Sequence, residues 1–332
     1  MNALIGQTSR FDIASRTISG ISCIGRFTAA AVNTQLLAND FDGSEITVKV
    51  DLIRGGRTFN LCNDDLRTLS LATNFDNGAA NSLLISRATD AIPYVAVAHA
   101  AAVKAEVSLP LYINFGGVIN LRGDDKLAIE MKVGSSAVST DIDKSSVSYF
   151  EVDAIDAVGV ESFTPYINTI TVKSGEDRQT FSLGNNVQKV HFLNFDETTL
   201  LTADNVIDQV SINSDRYNVV HKNYDLVSTR ATQFPTATEA NYRAQSFELL
   251  DGEDFDNVKL DFTFKSANLA ASKNKLVYQS YYTDERILTL ASATKTRHEA
   301  RAAKKYGIRS AALDAQENRA NIMKHQYLPK RK

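Results

Sequence analysis

Hydrophobic and polar residues alternate along much of this chain, with a period of two residues. Ile46, Val48 and Val50 show the pattern, which recurs from Ile129 to Val133 and from Leu260 to Phe264. A strand with one buried face has this period, whereas an amphipathic helix has a period of about 3.6 residues. The alternation therefore predicts half-buried strands at these three places.

The same pattern predicts about eight strands in each half of the chain. In the first half they are predicted at 21–32, 45–53, 57–61, 66–75, 82–86, 108–115, 117–121, 127–134 and 147–155. In the second half they are predicted at 166–174, 178–183, 187–195, 209–221, 245–251, 258–265 and 275–283. Inserted helices or long loops are expected at 95–105, 198–208 and 223–243. Because the strands do not alternate with helices, they indicate β-sandwiches, of which the eight-stranded form is the jelly roll.

Five short segments recur in the same order about 120 to 132 residues later in the chain. The pairs are Ile46–Lys49 with Ile170–Lys173, Thr58–Leu61 with Thr180–Leu183, Asn74–Asp76 with Asn194–Asp196, Leu127–Lys132 with Leu260–Lys265, and Ser148–Phe150 with Ser280–Tyr282. A repeat of this length is a whole domain rather than one unit of a solenoid or a propeller. Short alternating strands also resemble one another by chance, but the kept order favours two tandem copies of one all-β domain.

These patterns predict an all-β fold of two tandem eight-stranded jelly-roll sandwiches, with short inserted helices and a basic helical C-terminal tail. We expect an N-terminal arm over residues 1–20, a first jelly roll over 21–158, a second over 159–290 and the tail over 291–332. The chain has 332 residues, of which 43% are hydrophobic and 23% charged, so both domains can bury a core.

Signals for secretion, membrane insertion and disulfides are weak. Residues 1–6 lack a basic start and a long apolar run, so no secretory signal is expected. The longest weakly polar run, residues 91–103, is shorter than the ~20 residues that a membrane-spanning helix needs. The two cysteines, Cys23 and Cys62, fall in predicted strands, so we expect buried thiols rather than a disulfide or a metal site.

Positive charge is concentrated at the C-terminal end of the chain. Residues 295–332 carry eleven Lys or Arg against three acidic residues, a net charge of +8, which leaves −11 for the rest of the chain. Such a segment is a candidate contact for nucleic acid, an anionic membrane or an acidic face of a neighbouring subunit, and a solvated tail is the alternative. The candidate contact residues are Lys295, Arg297, Arg301, Lys304, Lys305, Arg309, Arg319, Lys324, Lys330, Arg331 and Lys332.

The sequence carries none of the common catalytic motifs. A nucleophile elbow, a phosphate-binding loop, a His-Glu-x-x-His pair and a Cys-x-x-Cys pair are all missing. His191 and His221 lie in alternating strands, where a hydrogen-bonded structural role is expected. Residues 251–257 offer oxygen ligands for calcium but depart from the twelve-residue calcium loop, so we expect a turn. We therefore predict no enzyme activity, no catalytic or metal site and no cofactor.

Two tandem jelly rolls with connections of unequal length and a short basic terminal extension resemble the double jelly-roll major capsid proteins of tailless, membrane-containing icosahedral bacteriophages. The resemblance covers about residues 21 to 290 and implies a homotrimer with a pseudo-hexagonal footprint, with strands roughly normal to the shell and one end facing an internal membrane. It further implies a virion protein that is made in the host cytoplasm and contacts lattice neighbours and minor capsid proteins. Because that family has no fixed motif, the resemblance assigns no functional residue.

Two other functions remain open from the sequence. One is a carbohydrate-binding or carbohydrate-active tandem sandwich, although the chain has no Trp for a sugar-stacking platform. The other is a viral spike protein, which would also be rich in strands and trimeric. A basic helical tail fits a shell lining better than a spike.

Overall fold

Two sandwiches of antiparallel strands make up the described part of the chain. The computed structural model describes residues 1–37, 40–73, 104–159, 161, 163–196, 206–215, 218–222, 244–248, 256–270 and 272–282. The strands of the first sandwich are β1 Asn2–Leu4, β2 Thr8–Ala14, β3 Thr17–Val32, β4 Ile46–Arg54, β5 Arg57–Asp65, β6 Lys104–Asn120, β7 Lys126–Val133 and β8 Tyr149–Asp156. They form two four-stranded sheets in the orders β1-β8-β3-β6 and β2-β7-β4-β5.

The second sandwich repeats this strand order. Its strands are β9 Thr164–Val172, β10 Arg178–Gly184, β11 Lys189–Asp196, β12 Ile207–Asn213, β13 Asn218–Lys222, β14 Ala244–Glu248, β15 Val258–Phe264 and β16 Ser272–Tyr282. The sheets are β9-β16-β11-β14 and β10-β15-β12-β13, so each strand has the same neighbours as its counterpart in the first sandwich. Two eight-stranded sandwiches of this order are jelly rolls, and the predicted fold is confirmed.

Two short helices and one 3₁₀ turn accompany the strands in the described residues. Helix α1 spans Leu66–Thr73 after β5, α2 spans Ser266–Ala270 between β15 and β16, and the 3₁₀ turn spans Gly43–Glu45. Within the described residues, no helix is long and apolar enough to cross a membrane.

Alternating side chains of the two sheets fill the core of each sandwich. In the first, Phe27 and Phe150 meet edge to face, with ring centroids 5.3 Å apart. In the second, Phe262 stacks on Phe264 at 5.3 Å and meets Phe192 at 5.5 Å. Edge-to-face and offset pairs of aromatic rings are the favoured arrangements, so both cores are closely packed.

The strand predicted at 66–75 is wrong, because its described part forms α1. The carboxylate of Asp65 accepts the backbone N–H of Thr68 at 2.7 Å and its hydroxyl at 2.8 Å. An aspartate in this position caps a helix by satisfying one of its free N–H groups. Residues 66–72 are all buried, so the helix lies inside the protein and lacks the polar face that marks a surface helix.

The N-terminal arm predicted for residues 1–20 is instead part of the first sandwich. β1 pairs with β8 in one sheet and β2 pairs with β7 in the other. Ala3, Ile13 and Ile18 are buried in the first core. The hydrophobic residues of this segment are sparse, since both strands lie at sheet edges, and alternation alone did not predict them.

The recurrence of short segments identified the duplication, but two of the four pairs that lie in the described residues align strands that do not correspond. Ile46–Lys49 starts β4, the fourth strand, whereas its match at 170–173 ends β9, a first strand. The match between 58–61 and 180–183 likewise joins a fifth strand to a second. Only Leu127–Lys132 and its match fall at similar places in corresponding strands, β7 and β15. Half-buried strands resemble one another wherever they lie, so a tetrapeptide does not identify its place in the fold.

Several predictions fall where the structure gives no description. The C-terminal tail at 291–332, the strand at 82–86, the insertion at 223–243 and most of 95–105 and 198–208 lie outside the described residues.

Candidate functional site: the junction between the two jelly rolls

The sheet β9-β16-β11 is buried on both of its faces. Leu276 and Tyr278 of β16 belong to the core of the second sandwich. Val277 lies between them and, with Ile167 of β9 and Leu193 of β11, belongs to the core cluster of the first sandwich. The outer face of this sheet therefore packs against the first sandwich, where β5, α1 and the C-terminal half of β6 meet it. We call this contact region the junction.

A lysine cluster joins the two sandwiches inside the junction. Lys275 Nζ lies 2.6 Å from Asp64 Oδ1 and 2.5 Å from Asp65 Oδ2, at the end of β5. The three side chains are 24%, 15% and 12% exposed. Burial lowers the pKa of Lys275, but the charges of Asp65 and Asp64 outweigh burial and raise this pKa above its ordinary value. Since Asp65 also caps α1, one carboxylate links β16, β5 and α1.

A second cluster fixes the segment that connects the sandwiches. The guanidinium of Arg54 donates to both carboxylate oxygens of Glu161, at 2.6 and 2.9 Å, and to the carbonyl oxygen of Asn120. Glu161 also accepts the backbone N–H of Asn120 at 2.9 Å and the hydroxyl of Thr164 at 2.9 Å. Burial opposes the charge of Arg54, yet Glu161 and Asp125 raise its pKa. Bidentate pairing of this kind sets orientation as well as energy.

Close contacts complete the junction near the end of β16. The hydroxyl of Tyr282 donates to the carbonyl oxygen of Asn60 at 2.6 Å, and the Tyr282 ring meets Phe59 at 5.4 Å. Burial raises the pKa of Tyr282. A Cβ at Gly117 would lie 3.1 Å from the ring of Phe163, so glycine permits the backbone to come this near.

Each sandwich has a turn end and a loop end. In the first, the turn end carries connections at 15–16, 55–56 and 121–125, whereas the loop end carries the longer connections 33–45, 66–103 and 134–148. In the second, the turn end carries connections at 185–188, 214–217 and 249–257. β8 runs to the turn end, and β9 begins at the turn end of the second sandwich, where Thr164 pairs with Tyr282. The seven-residue connection 157–163 therefore joins the two turn ends.

The two sandwiches stand side by side with their turn ends together. Tyr282, at the turn end of β16, contacts Asn60 near the start of β5. Lys275, farther from that end, contacts Asp64 and Asp65 at the far end of β5. The two contacts follow β5 and β16 in the same direction away from the turn ends, so the sandwiches share one polarity.

The structure locates some of the residues considered in the sequence. Cys23 and Cys62 are free, fully buried thiols, as predicted, and burial raises the pKa of Cys23 to about 12 and also raises the pKa of Cys62. His191 is buried in β11, on the face toward the junction. Among the described residues, no group of three or more His, Cys, Asp or Glu is placed to hold a metal ion. The basic candidates from Lys295 to Lys332 lie outside the described residues.

The residues of the junction were not predicted from the sequence. Lys275 precedes Leu276, Val277 and Tyr278, which are consecutive buried residues. A lysine beside such a run, in a strand buried on both faces, is the one available signal of a buried charge. Its partner Asp64 lies 211 residues away, so no local pattern identifies the pair.

Solved structures of viral proteins share this architecture. The major capsid protein of Sulfolobus turreted icosahedral virus matches with a TM-score of 0.55 and 11% identity, over 85% of this chain and 93% of that one. A chain from the atomic structure of the same virus matches with a TM-score of 0.52 and 10% identity, over 89% and 95%. The chain has the double jelly-roll fold.

A third solved structure is less similar to this chain, and comparisons of the sequence itself found no match. The major capsid protein P2 of bacteriophage PM2 matches at 13% identity over 85% of this chain and 94% of that one, with a TM-score of 0.47. No protein-family model matches the sequence, and no curated protein matches it. At these identities, the similarity establishes the fold and assigns no residue.

Replacing Lys275 with Met should destabilise the protein. The change leaves Asp64 and Asp65 facing each other in a largely buried site without their cation. We expect a loss of about 1 to 3 kcal/mol in the free energy of unfolding, less than for a fully buried pair because all three groups are partly exposed. Urea denaturation measures it. Lys273→Met, an exposed change on the same strand, is the control, and equal stability of the two variants would contradict the role given to Lys275.

The contribution of Lys275 should also disappear at high pH. Because its pKa is raised in the folded state, the stability that it adds is complete below about pH 10.5 and is lost as the pH rises through the folded pKa. The difference in melting temperature between wild type and Lys275→Met should therefore be constant below about pH 10.5 and shrink between about pH 10.5 and about pH 12. A difference that stays constant over this range would show that the charge of Lys275 is not the cause.

Proposed function

We propose that this chain is a major capsid subunit, three copies of which form a pseudo-hexagonal capsomer of an icosahedral viral shell. The observation that carries the proposal is the pair of like-built sandwiches fixed side by side with one polarity. Three copies around a three-fold axis would present six similar sandwiches, so a trimer could occupy a position with six neighbours. A jelly-roll pair with opposite polarities would not give such a ring.

The solved structures support this proposal through their shared architecture. The two matches with TM-scores of 0.55 and 0.52 come from a virus, and this chain spans 93% and 95% of their lengths. The proposed role of the chain is therefore structural rather than catalytic. We propose that the chain is made in the host cell and lies in the virion shell. The carbohydrate and spike alternatives gain no support from the described geometry.

The polarity of the sandwiches supports an orientation in the shell. β16 ends with Tyr282 at the turn end, so the segment that carries the basic residues follows from that end in the sequence. The longest connections lie at the loop end. We propose that the strands stand roughly normal to the shell, with the turn end inward and the tail on the genome or on an anionic membrane. Charge attraction of the +8 segment for phosphate groups would then hold the contents.

The mass of the purified protein in solution tests the capsomer. We expect a stable trimer of about three times 36.4 kDa by sedimentation or light scattering, and particles with three-fold capsomers by electron microscopy. A stable monomer at all concentrations, without particles, would contradict the proposal. Binding of that monomer to a glycan array would favour the carbohydrate alternative.

Removal of the tail tests its proposed contact. Deletion from Lys295 onward should leave both jelly rolls folded, because each described core is complete without the tail, but should impair attachment of the contents.

Binding of the full chain to DNA or to anionic vesicles should weaken steeply with salt, since exposed charges are screened over about 10 Å at 0.1 M. Replacing Lys304, Lys305, Arg309 and Arg319 with Gln should weaken binding in proportion to the lost charge. Normal particles with their contents from the deletion variant would show that the tail only aids solubility.

A further inference from the structure

The first sandwich has a sheet face that corresponds to the covered face in the junction. In the second sandwich, β9, β16 and β11 are the first, eighth and third strands, and their outer face lies against the first sandwich. Their counterparts are β1, β8 and β3. Nothing in the described part of the chain covers the outer face of these three strands. We call it the open face.

Partly apolar side chains form the open face. Ile24 of β3 points away from the core, since its neighbours Cys23 and Gly25 are buried, and it pairs with Pro110 of β6 and Glu151 of β8. Tyr112 and Tyr149 lie on the same face, beside Ser22 and Arg26. Arg26 Nη2 lies 3.1 Å from Glu151 Oε2. Aromatic residues and arginine among polar neighbours are typical of interfaces that form between separately folded proteins.

The opposite outer face of the first sandwich has a different composition. On the sheet β2-β7-β4-β5, ion pairs join Arg10 with Glu130 at 2.8 Å and Lys49 with Asp51 at 2.8 Å. Lys126 lies 3.9 Å from Asp12 on the same sheet. These side chains are mostly well exposed, and such a charged sheet face is suited to water rather than to a dry contact.

The side of the first sandwich that forms the junction has an uncovered counterpart in the second sandwich, among the described residues. In the first sandwich, β5 is the fifth strand and lies against β9. Its counterpart in the second sandwich is the edge strand β13, which bonds only to β12 among the described strands. Val220 of β13 leaves 50% of its surface exposed. Apolar side chains thus lie on both elements that a repeated junction would bring together, Val220 on β13 and the half-buried Ile24 on β3.

We propose that a second copy of this chain docks the β13 side of its second sandwich onto the open face, in the way that β5 and α1 cover β9-β16-β11 within one chain. The inference rests on the proposed trimer and names its contact surface. Six sandwiches then close a ring through six junctions of one kind, three within chains and three between chains. The contact between chains is more polar than the contact within a chain, because each copy folds before the second copy binds.

Chemical cross-linking between copies tests the docking. Asn2 is exposed on the open face beside Glu151, so Asn2→Cys combined with Val220→Cys places one thiol on each side of the proposed contact. Cys23 and Cys62 are buried, so the native thiols do not compete for a short bis-maleimide. Lys49→Cys with Val220→Cys is the control, because Lys49 lies on the charged face. We expect covalent dimers and trimers from the first pair and none from the second.

A matched pair of charge substitutions tests the docking surface independently. Ile24 and Ile53 are both half-buried isoleucines on outer faces of the first sandwich, but only Ile24 lies on the open face. Ile24→Glu should weaken association at least about tenfold in sedimentation, since an unpaired carboxylate is costly to bury, whereas Ile53→Glu should remain trimeric. Circular dichroism of both variants checks that the sandwiches still fold.

The outcomes separate this inference from the proposed function. A trimer that cross-links through Lys49→Cys, or that shows no link between positions 2 and 220, overturns the docking surface and leaves the capsomer standing. A trimer equally weakened by Ile53→Glu and Ile24→Glu also overturns the surface. A protein that is monomeric in solution and in every assembly trial overturns both.

Discussion

Burial of one sheet on both faces is the constraint on which the arrangement of the two sandwiches depends. A jelly-roll sheet ordinarily has one dry face and one wet face, and alternation of side chains serves both. In β9-β16-β11 the second face is buried as well. Its apolar residues therefore need a partner surface, and its polar residues need hydrogen-bond partners. The first sandwich supplies both through β5, α1 and β6. The relative position of the sandwiches therefore follows from the requirements of a single sheet.

The charges of the junction fix orientation more than they add stability. A buried ion pair loses most of its Coulomb energy to desolvation, but a displaced pair leaves an uncompensated charge in the interior. Lys275 and Arg54 each meet carboxylates on another element, and the two sites lie at different heights along the contact. Two such points prevent both sliding and rotation of one sandwich against the other. We interpret them as devices that select one arrangement among several of similar apolar contact.

The sequence was informative wherever one residue and its near neighbours carried the signal. Alternation identified most strands and the duplication of the fold, because a half-buried strand shows its period locally. It failed at α1, where the deciding contact is the cap between Asp65 and Thr68, and at residues 2–14, which form short strands at sheet edges. The junction was beyond reach, because its pairs join residues 107 and 211 positions apart. Such contacts are properties of the folded chain rather than of any segment.

Separation of turn end and loop end also determines where the chain tolerates change. The entropy of closing a loop grows only with the logarithm of its length, so doubling a connection costs about 0.6 kcal/mol. At the loop end, the connection 134–148 touches neither the linker nor the chain exit, and its residues 144–147 are exposed, so residues added at 144–147 would leave both sandwiches and their junction intact. At the turn end, an insertion at 55–56 would displace Arg54 from Glu161. The loop end is thus the side on which the chain can change in length and accept an inserted peptide without loss of the junction.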